Sequence, residues 1–340
     1  MTSGTSSASP DAVPADIAAR VRDQYEINLA ASVRLTGGTD DHAAVWRVVD
    51  DQGRDYVLKL SRGALTAGLV AAAQPSLAGV PGIAPPVSSR SRGLWLSLPG
   101  AQLAVFPWID GRGGTDGPLS LESWHHFGRL MAALHGVTEV VDLGAPLPEE
   151  TFHPVAAARV QRLGRRIDRL AGGTLDDTTQ QVVQEWVAAQ EVIARVTDQA
   201  VALGQHLAQH PSPRVLTHGD CHLFNVVVSA DDQVWLLDWV DAALAPPERD
   251  LIFFTGGIFA DAQLTAAEQQ AFFDGYGPAE LDPSRLAYYR SVRALEDVEW
   301  AERALDRHRP DDERVQALGF FRGVLAPHGM VEQALATLVA

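Results

Sequence analysis

The sequence predicts an α+β chain of two lobes, a small N-terminal antiparallel sheet lobe followed by a larger, mainly helical C-terminal lobe. Three observations predict it. Short apolar segments bounded by turn residues fill the first third of the chain. Past the Gly-rich stretch Asp110-Gly111-Arg112-Gly113-Gly114 the apolar spacing becomes that of helices. One hairpin pattern, Val226-Val227-Val228 then Val234-Trp235-Leu236, is embedded in the helical part. The boundaries expected are a sheet lobe at 16–106, a joint at 107–114 and a helical lobe at 115–340. Ligands commonly bind between such lobes.

In chain order, Ser32–Gly37, Ala43–Asp50 and Arg54–Ser61 read as strands, the last two joined by a turn at Asp51-Gln52-Gly53. A helical insert at about Leu65–Leu77 precedes two more strands, Leu94–Leu98 and Gln102–Phe106, joined by Pro99-Gly100. Ser120 caps a helix from Leu121 to His135 that Gly136 stops. A long helix follows at about Asp177–Gln209, with Val182, Val183, Trp186, Val187, Ile193 and Val196 on one side. After the hairpin, helices are expected at Thr265–Tyr276, from Asp282-Pro283 to about Arg307, and at Asp312–Leu338.

Composition bounds the function. The 340 residues are 46% hydrophobic, and no apolar run approaches the roughly 18 residues a membrane span needs. Residues 1–15, rich in Ser, Thr, Ala and Pro, read as a disordered tail. Cys221 is the single cysteine, so an intramolecular disulfide and a thiolate zinc cluster are excluded, which fits the cytoplasm. A formal charge of −16 argues against nucleic acid as partner and suits cationic small molecules, although it also serves solubility alone.

The chemistry concentrates in His218-Gly219-Asp220-Cys221-His222-Leu223-Phe224-Asn225 and the strand that ends at Asp238. With Asp231-Asp232 as a two-residue turn, the pairing 230–233 and 229–234 continues to 225–238. Asn225 and Asp238 then face each other with Cβ atoms about 5 Å apart. Two oxygen ligands at that separation suit Mg²⁺, which also takes phosphate oxygens and keeps some waters. Asp220 is left to orient a hydroxyl. His218 and His222, four apart, also permit a zinc site with Asp220 and Asp238. Gly219 argues against a continuous helix there, and a loop-tying His218 is the better reading.

Elsewhere the residues leave two readings open. Lys59, in Tyr56-Val57-Leu58-Lys59-Leu60-Ser61, points away from Leu58 and Leu60, either to solvent or to nucleotide phosphates. Gly37, Gly38 and Thr39 make a turn or a phosphate loop. Phe106, Pro107, Trp108 and Ile109 make an apolar linker or a purine site, with the Pro107 carbonyl and the Ile109 N–H as its polar groups. Glu296 and Glu299 share a helix face, beside Trp300. They form a solvated acidic surface or a pair that binds substrate amines.

These motifs resemble the aminoglycoside phosphotransferase and choline kinase family, which has a protein-kinase-like fold. The resemblance spans about Val33 to Arg303 and is carried by His-Gly-Asp, the Asn five residues after that Asp, and the Asp that follows the hairpin. Gly37-Gly38-Thr39, Tyr56–Lys59, Ala245-Pro246-Pro247-Glu248-Arg249-Asp250-Leu251 and Tyr288-Tyr289-Arg290 are similar to the spectinomycin phosphotransferase branch.

The resemblance implies that Asp220 is the catalytic base, Asn225 and Asp238 the Mg²⁺ ligands, and Lys59 the ligand of the α/β-phosphates of ATP or GTP. It makes Phe106–Ile109 the purine hinge and Asp250 a structural brace of the catalytic loop. One departure stands out. The family's lysine pairs with a glutamate on the following helix, yet Ser61–Leu98 holds no Asp or Glu. Gln74 or Asp238 is expected to face Lys59 instead. The departure also keeps a nucleotide-binding pseudokinase in view.

Overall fold

The computed structural model describes residues 12–36, 42–63, 65–170, 175–256 and 263–337. The chain forms two compact units, Met1–Pro148 with His218–Ala243, and Glu149–Thr217 with Leu244–Ala340. The first unit takes in the sheet, the joint and the hairpin together, so it is cut differently from the lobes expected from sequence.

Helix α1 (Ala15–Tyr25) opens the described chain, just past the stretch at 1–15 expected as a disordered tail, which it overlaps only at Ala15. Its Ile17, Val21 and Tyr25 recur every four residues and bury one stripe. The sheet follows: β1 (Leu29–Leu35), β2 (Ala43–Asp50), β3 (Asp55–Ser61), then, after α2 (Thr66–Ala72), β4 (Leu96–Leu98) and β5 (Ala101–Pro107). Its order is β1-β2-β3-β5-β4, and every pairing is antiparallel. Period-two alternation sends Trp46, Val48, Leu58, Leu103 and Val105 into one core with the α1 stripe. The opposite face carries Ala104, packed with Leu65 and Leu69 around α2. Lys59 lies opposite Val45 and Ala104 in the ladder, so it shares that second face.

Gly68 explains how closely α2 is seated. A Cβ there would lie 2.4 Å from the Trp239 carbonyl oxygen, so only glycine lets the helix meet the chain just after Asp238. Gln74 is used elsewhere. Its fully buried amide donates to the Val70 and Val141 carbonyls and accepts from the Val141 N–H.

Past the joint come β6 (Arg112–Gly113) and α3 (Leu121–His135), the latter capped by Ser120 as expected. In the second unit, α4 (Val155–Leu170), a helix absent from the sequence reading, and α5 (Asp177–Leu207) precede β7 (Val215–Thr217). The hairpin returns to the first unit with β8 (Val226–Val228) and β9 (Val234–Leu236), in a sheet of order β6-β8-β9.

Its register corrects the sequence expectation by one residue. Val226 pairs with Leu236, Val227 with Trp235 and Val228 with Val234. The favoured two-residue turns need left-handed or positive-φ backbone at the first central position, and type I′ at both. Only Asp232 takes it (φ 59°), so the loop widens to Ala230-Asp231-Asp232. Asp232 is held in that conformation from outside. Its Oδ1 accepts from the Ser120 and Ser123 hydroxyls at 2.8 and 2.9 Å, and those bonds pull its pKa below the ordinary carboxylate value.

The second unit continues with β10 (Ala243–Ala245), α6 (Glu248–Leu251), α7 (Ala266–Tyr276) and α8 (Pro283–Val298). The helix expected to reach Arg307 ends there instead, and α9 (Trp300–Ala304) follows the break at Glu299. Helices α10 (Asp311–Leu325) and α11 (Met330–Ala336) complete it. α5 packs along α8, where Gly204 lets the backbone of Phe152 and the ring of Tyr288 approach. Asp176 caps α5 through the Thr179 N–H and meets the buried Arg314 guanidinium at 2.7 Å. Burial opposes its ionisation, yet those partners win and hold its pKa well below the usual range.

Candidate active site

With the register shifted, Asn225 stands opposite Leu237, whose N–H donates to the Asn225 carbonyl at 2.8 Å. In an unbroken strand a slip of one residue would turn Asp238 to the wrong face. The strand does not continue that far. Asp238 adopts left-handed backbone (φ 56°), unusual for a residue other than glycine, and this re-aims its side chain. Its Oδ1 meets Lys59 Nζ at 2.7 Å. The lysine side chain is 13% exposed and the carboxylate 37%, so the pair sits at the border of protein and solvent. Of the two partners expected for Lys59, the structure selects Asp238.

The loop from His218 to Asn225 is closed by its own side chains. Fully buried His218 bonds the Leu237 carbonyl through Nε2 at 2.9 Å, and its Nδ1 accepts the Asp220 N–H at 3.2 Å. Both ring nitrogens are thus committed to backbone, which ties the loop to the residue before Asp238 and removes His218 as a zinc ligand. Among the described residues, no three His, Cys, Asp or Glu side chains gather to hold a metal ion. Asn225 Nδ2 donates to both the Asp220 carbonyl and Asp220 Oδ2, each at 2.8 Å. His222 Nε2 lies 3.1 Å from the other carboxylate oxygen, Oδ1. His222 is a site residue that sequence reasoning weighed only as a zinc ligand, although its place two residues after Asp220 was a usable signal.

The donor set fits Mg²⁺ better than a softer ion. With Nδ2 turned to Asp220, the Asn225 amide keeps Oδ1 as an oxygen donor, and Asp238 keeps Oδ2 outside its ion pair. Amide and carboxylate oxygens, completed by water and phosphate, are what that hard cation takes.

Phe106 packs on the α2 face of the sheet, and Pro107 ends β5 opposite Tyr56. Trp108 donates its N–H to the Asp55 carbonyl, and its ring lies 4.3 Å beneath the Arg47 guanidinium. Ile109 is half-buried. Gly38 and Thr39 lie outside the described residues.

In the second unit, Asp250 is fully buried in α6. Glu299 receives two bonds from Arg159 Nε, at 2.7 and 2.9 Å. Burial raises its pKa while Arg159 works against the rise. Trp300 packs at a tilt against Phe320, with centroids 4.7 Å apart, under Arg303. Glu296 is exposed.

The model of the phosphotransferase enzyme family matches residues 34–295, which include Lys59, Asp220, Asn225 and Asp238. The chain belongs to that family. Phosphotransferases of known structure share its α+β, kinase-like fold. Spectinomycin phosphotransferase in complex with ADP and spectinomycin superposes with a TM-score of 0.81 at 24% identity, covering 98% of this chain and 100% of that one. Its AMP complex gives 0.76 at 22% identity, with 95% and 98% covered. The microcompartment-associated aminopropanol kinase gives 0.64 at 17%, with 96% and 98% covered. No protein of the curated set matches the chain. Among the described residues no helix is long and apolar enough to cross a membrane.

Proposed function

We propose that this phosphotransferase moves the terminal phosphoryl group of ATP or GTP to a hydroxyl of a small cationic molecule, an aminoglycoside or aminocyclitol antibiotic, in the cytoplasm. The observation that carries this reading is the Lys59–Asp238 ion pair, beside a loop in which Asn225 grips Asp220. The resemblance to the spectinomycin phosphotransferase branch supports the acceptor class. Choline, homoserine or an amino sugar is the second reading. It gains weight because the Glu299 carboxylate already serves Arg159.

In this account Asp220 holds the acceptor hydroxyl for in-line attack and takes its proton late, when the oxygen has become acidic. Lys59 neutralises the α/β-phosphates, and its carboxylate partner keeps the ammonium aimed. Residues 16–106 serve the nucleotide, with Gly38 and Thr39 at its phosphates and Phe106–Ile109 at its purine. Asn225 and Asp238 would hold Mg²⁺, which when bound offsets charge on the phosphoryl oxygens. We assign Glu296 and Trp300 to acceptor recognition only as the sequence motif suggests it, and Asp250 to a structural brace only as the family resemblance implies it. A pseudokinase has no need of the Lys59–Asp238 pair and the Asp220–Asn225 grip together.

The test is Mg²⁺-dependent ADP release with a panel of aminoglycosides, spectinomycin, choline, homoserine and amino sugars. Products are read by a mass gain of about 80 Da for one phosphate. Turnover of an aminocyclitol, with protection of bacteria expressing the chain, is the expected result. Turnover of choline or homoserine alone selects the second reading. Nucleotide binding with no transfer to any acceptor selects the pseudokinase.

A further inference from the structure

Asp220 has two carboxylate oxygens, and both are met from within the catalytic loop. Asn225 Nδ2 takes Oδ2 at 2.8 Å. His222 Nε2 stands 3.1 Å from Oδ1, with its side chain 13% exposed. The imidazole is itself braced, because Phe224 packs edge-on against it, with centroids 5.7 Å apart and planes at 90°. Its backbone carbonyl accepts the Asn225 N–H at 2.9 Å, so the turn that carries Asn225 also fixes the start of the His222 side chain. A short loop has thus been shaped to present one ring nitrogen to one oxygen of the residue assigned to the acceptor hydroxyl.

We propose that His222 is a positioning residue for the phosphoryl acceptor site. Its Nε2–H donates to Asp220 Oδ1 and, with Asn225 on Oδ2, stops the carboxylate from rotating. In this account the acceptor hydroxyl shares Oδ1 with His222, since a carboxylate oxygen with two lone pairs can accept from two donors. Which direction the hydroxyl must come from is thereby set by His222. This inference rests on Asp220 being the group that orients that hydroxyl. It adds a residue whose loss weakens chemistry and spares nucleotide binding, because His222 acts through Asp220.

Two arms test it. The first needs no turnover. In protein labelled with ¹⁵N-histidine, with the His222 signals assigned by their loss in His222→Gln, Nε2 is expected to carry the proton. Its resonances should shift when Asp220 becomes Ala. A His222 protonated only at Nδ1, or one indifferent to Asp220→Ala, overturns the contact.

The second arm uses whichever acceptor of the panel is turned over. His222→Leu should lower kcat roughly 10- to 100-fold, the scale set by a misplaced reacting group. The dissociation constant of ADP should stay within about twofold, since no nucleotide contact is removed. His222→Gln, whose amide N–H reaches a similar place, should recover most of the loss. A matching loss of ADP affinity in His222→Leu makes His222 a phosphate ligand and overturns the proposal. A Gln variant as poor as Leu makes it a packing group and does the same. If the resonances behave as expected while no acceptor on the panel is phosphorylated, it is the phosphotransferase reading that fails, and the positioning role falls with it.

Discussion

The loop from His218 to Asn225 and the acidic end of α8 look alike in sequence, each placing carboxylates within a few residues of a histidine or tryptophan, yet they use their charges differently. In the loop, Asp220 is met by both His222 and Asn225, and the ion pair of Asp238 with Lys59 runs through one carboxylate oxygen. At the end of α8, the Glu299 carboxylate takes two bonds from Arg159, and Trp300 is covered by Phe320 and Arg303. The loop's carboxylates are held by groups that the proposed reaction uses, whereas Glu299 is held by a helix arginine that it does not.

Breaking the loop should have the largest effect. Asp220→Asn keeps the side-chain volume but removes the proton acceptor, so turnover should fall about 10²- to 10⁴-fold. Nucleotide affinity, measured by calorimetry, should hardly move. Next comes Lys59→Met. It removes a charge-assisted contact worth about 1.5–3 kcal/mol, so ADP affinity should fall roughly ten- to hundredfold. If Lys59 only decorates the sheet surface, that affinity will be unchanged.

At the other region the expected effects are on stability. Arg159→Ala leaves the half-buried Glu299 carboxylate uncompensated, and denaturant unfolding at neutral pH should register a loss of about 1 kcal/mol. Burial already raises the Glu299 pKa, so its folded state favours the protonated form more than its unfolded state does. The deficit of the Arg159→Ala protein should therefore shrink as pH falls through the raised value. An Arg159→Ala protein that is as stable as the parent but binds its acceptor more tightly would show instead that Glu299 belongs to the substrate.

The smallest effect concerns Asp176, whose pKa is depressed by Thr179 and Arg314 against the effect of burial. A depressed carboxylate stabilises the fold above its unfolded value and loses that contribution as pH falls through the folded one. Asp176→Asn keeps an N-cap but should flatten the acid limb of the stability profile.

Much of this was legible in sequence where the cause is local. Ser120 and Gly136 bound α3, Pro283 opens α8, and the alternation in Tyr56–Ser61 separates Lys59 from the Leu58 core. Helix α1 was missed although Ile17, Val21 and Tyr25 carry its period, because a Ser/Pro-rich start masks a short amphipathic run. The hairpin register depended on one backbone torsion at Asp232, which Ser120 and Ser123 stabilise from more than a hundred residues away in sequence. No spacing rule reaches that far. The Lys59 partner, 179 residues distant, could be named only as one of two candidates, and the Arg159–Glu299 pair, 140 apart, was not foreseen.

The central claim is that Asn225 and Asp238 serve one divalent ion beside Asp220. Replacing Mg²⁺ by Mn²⁺ in the presence of ADP makes this countable by paramagnetic resonance of the free ion. The account predicts a single tight Mn²⁺ per chain, with affinity lowered at least about tenfold by Asp238→Asn and also weakened by Asn225→Ala. Equal Mn²⁺ affinity in the parent protein and both variants would contradict it.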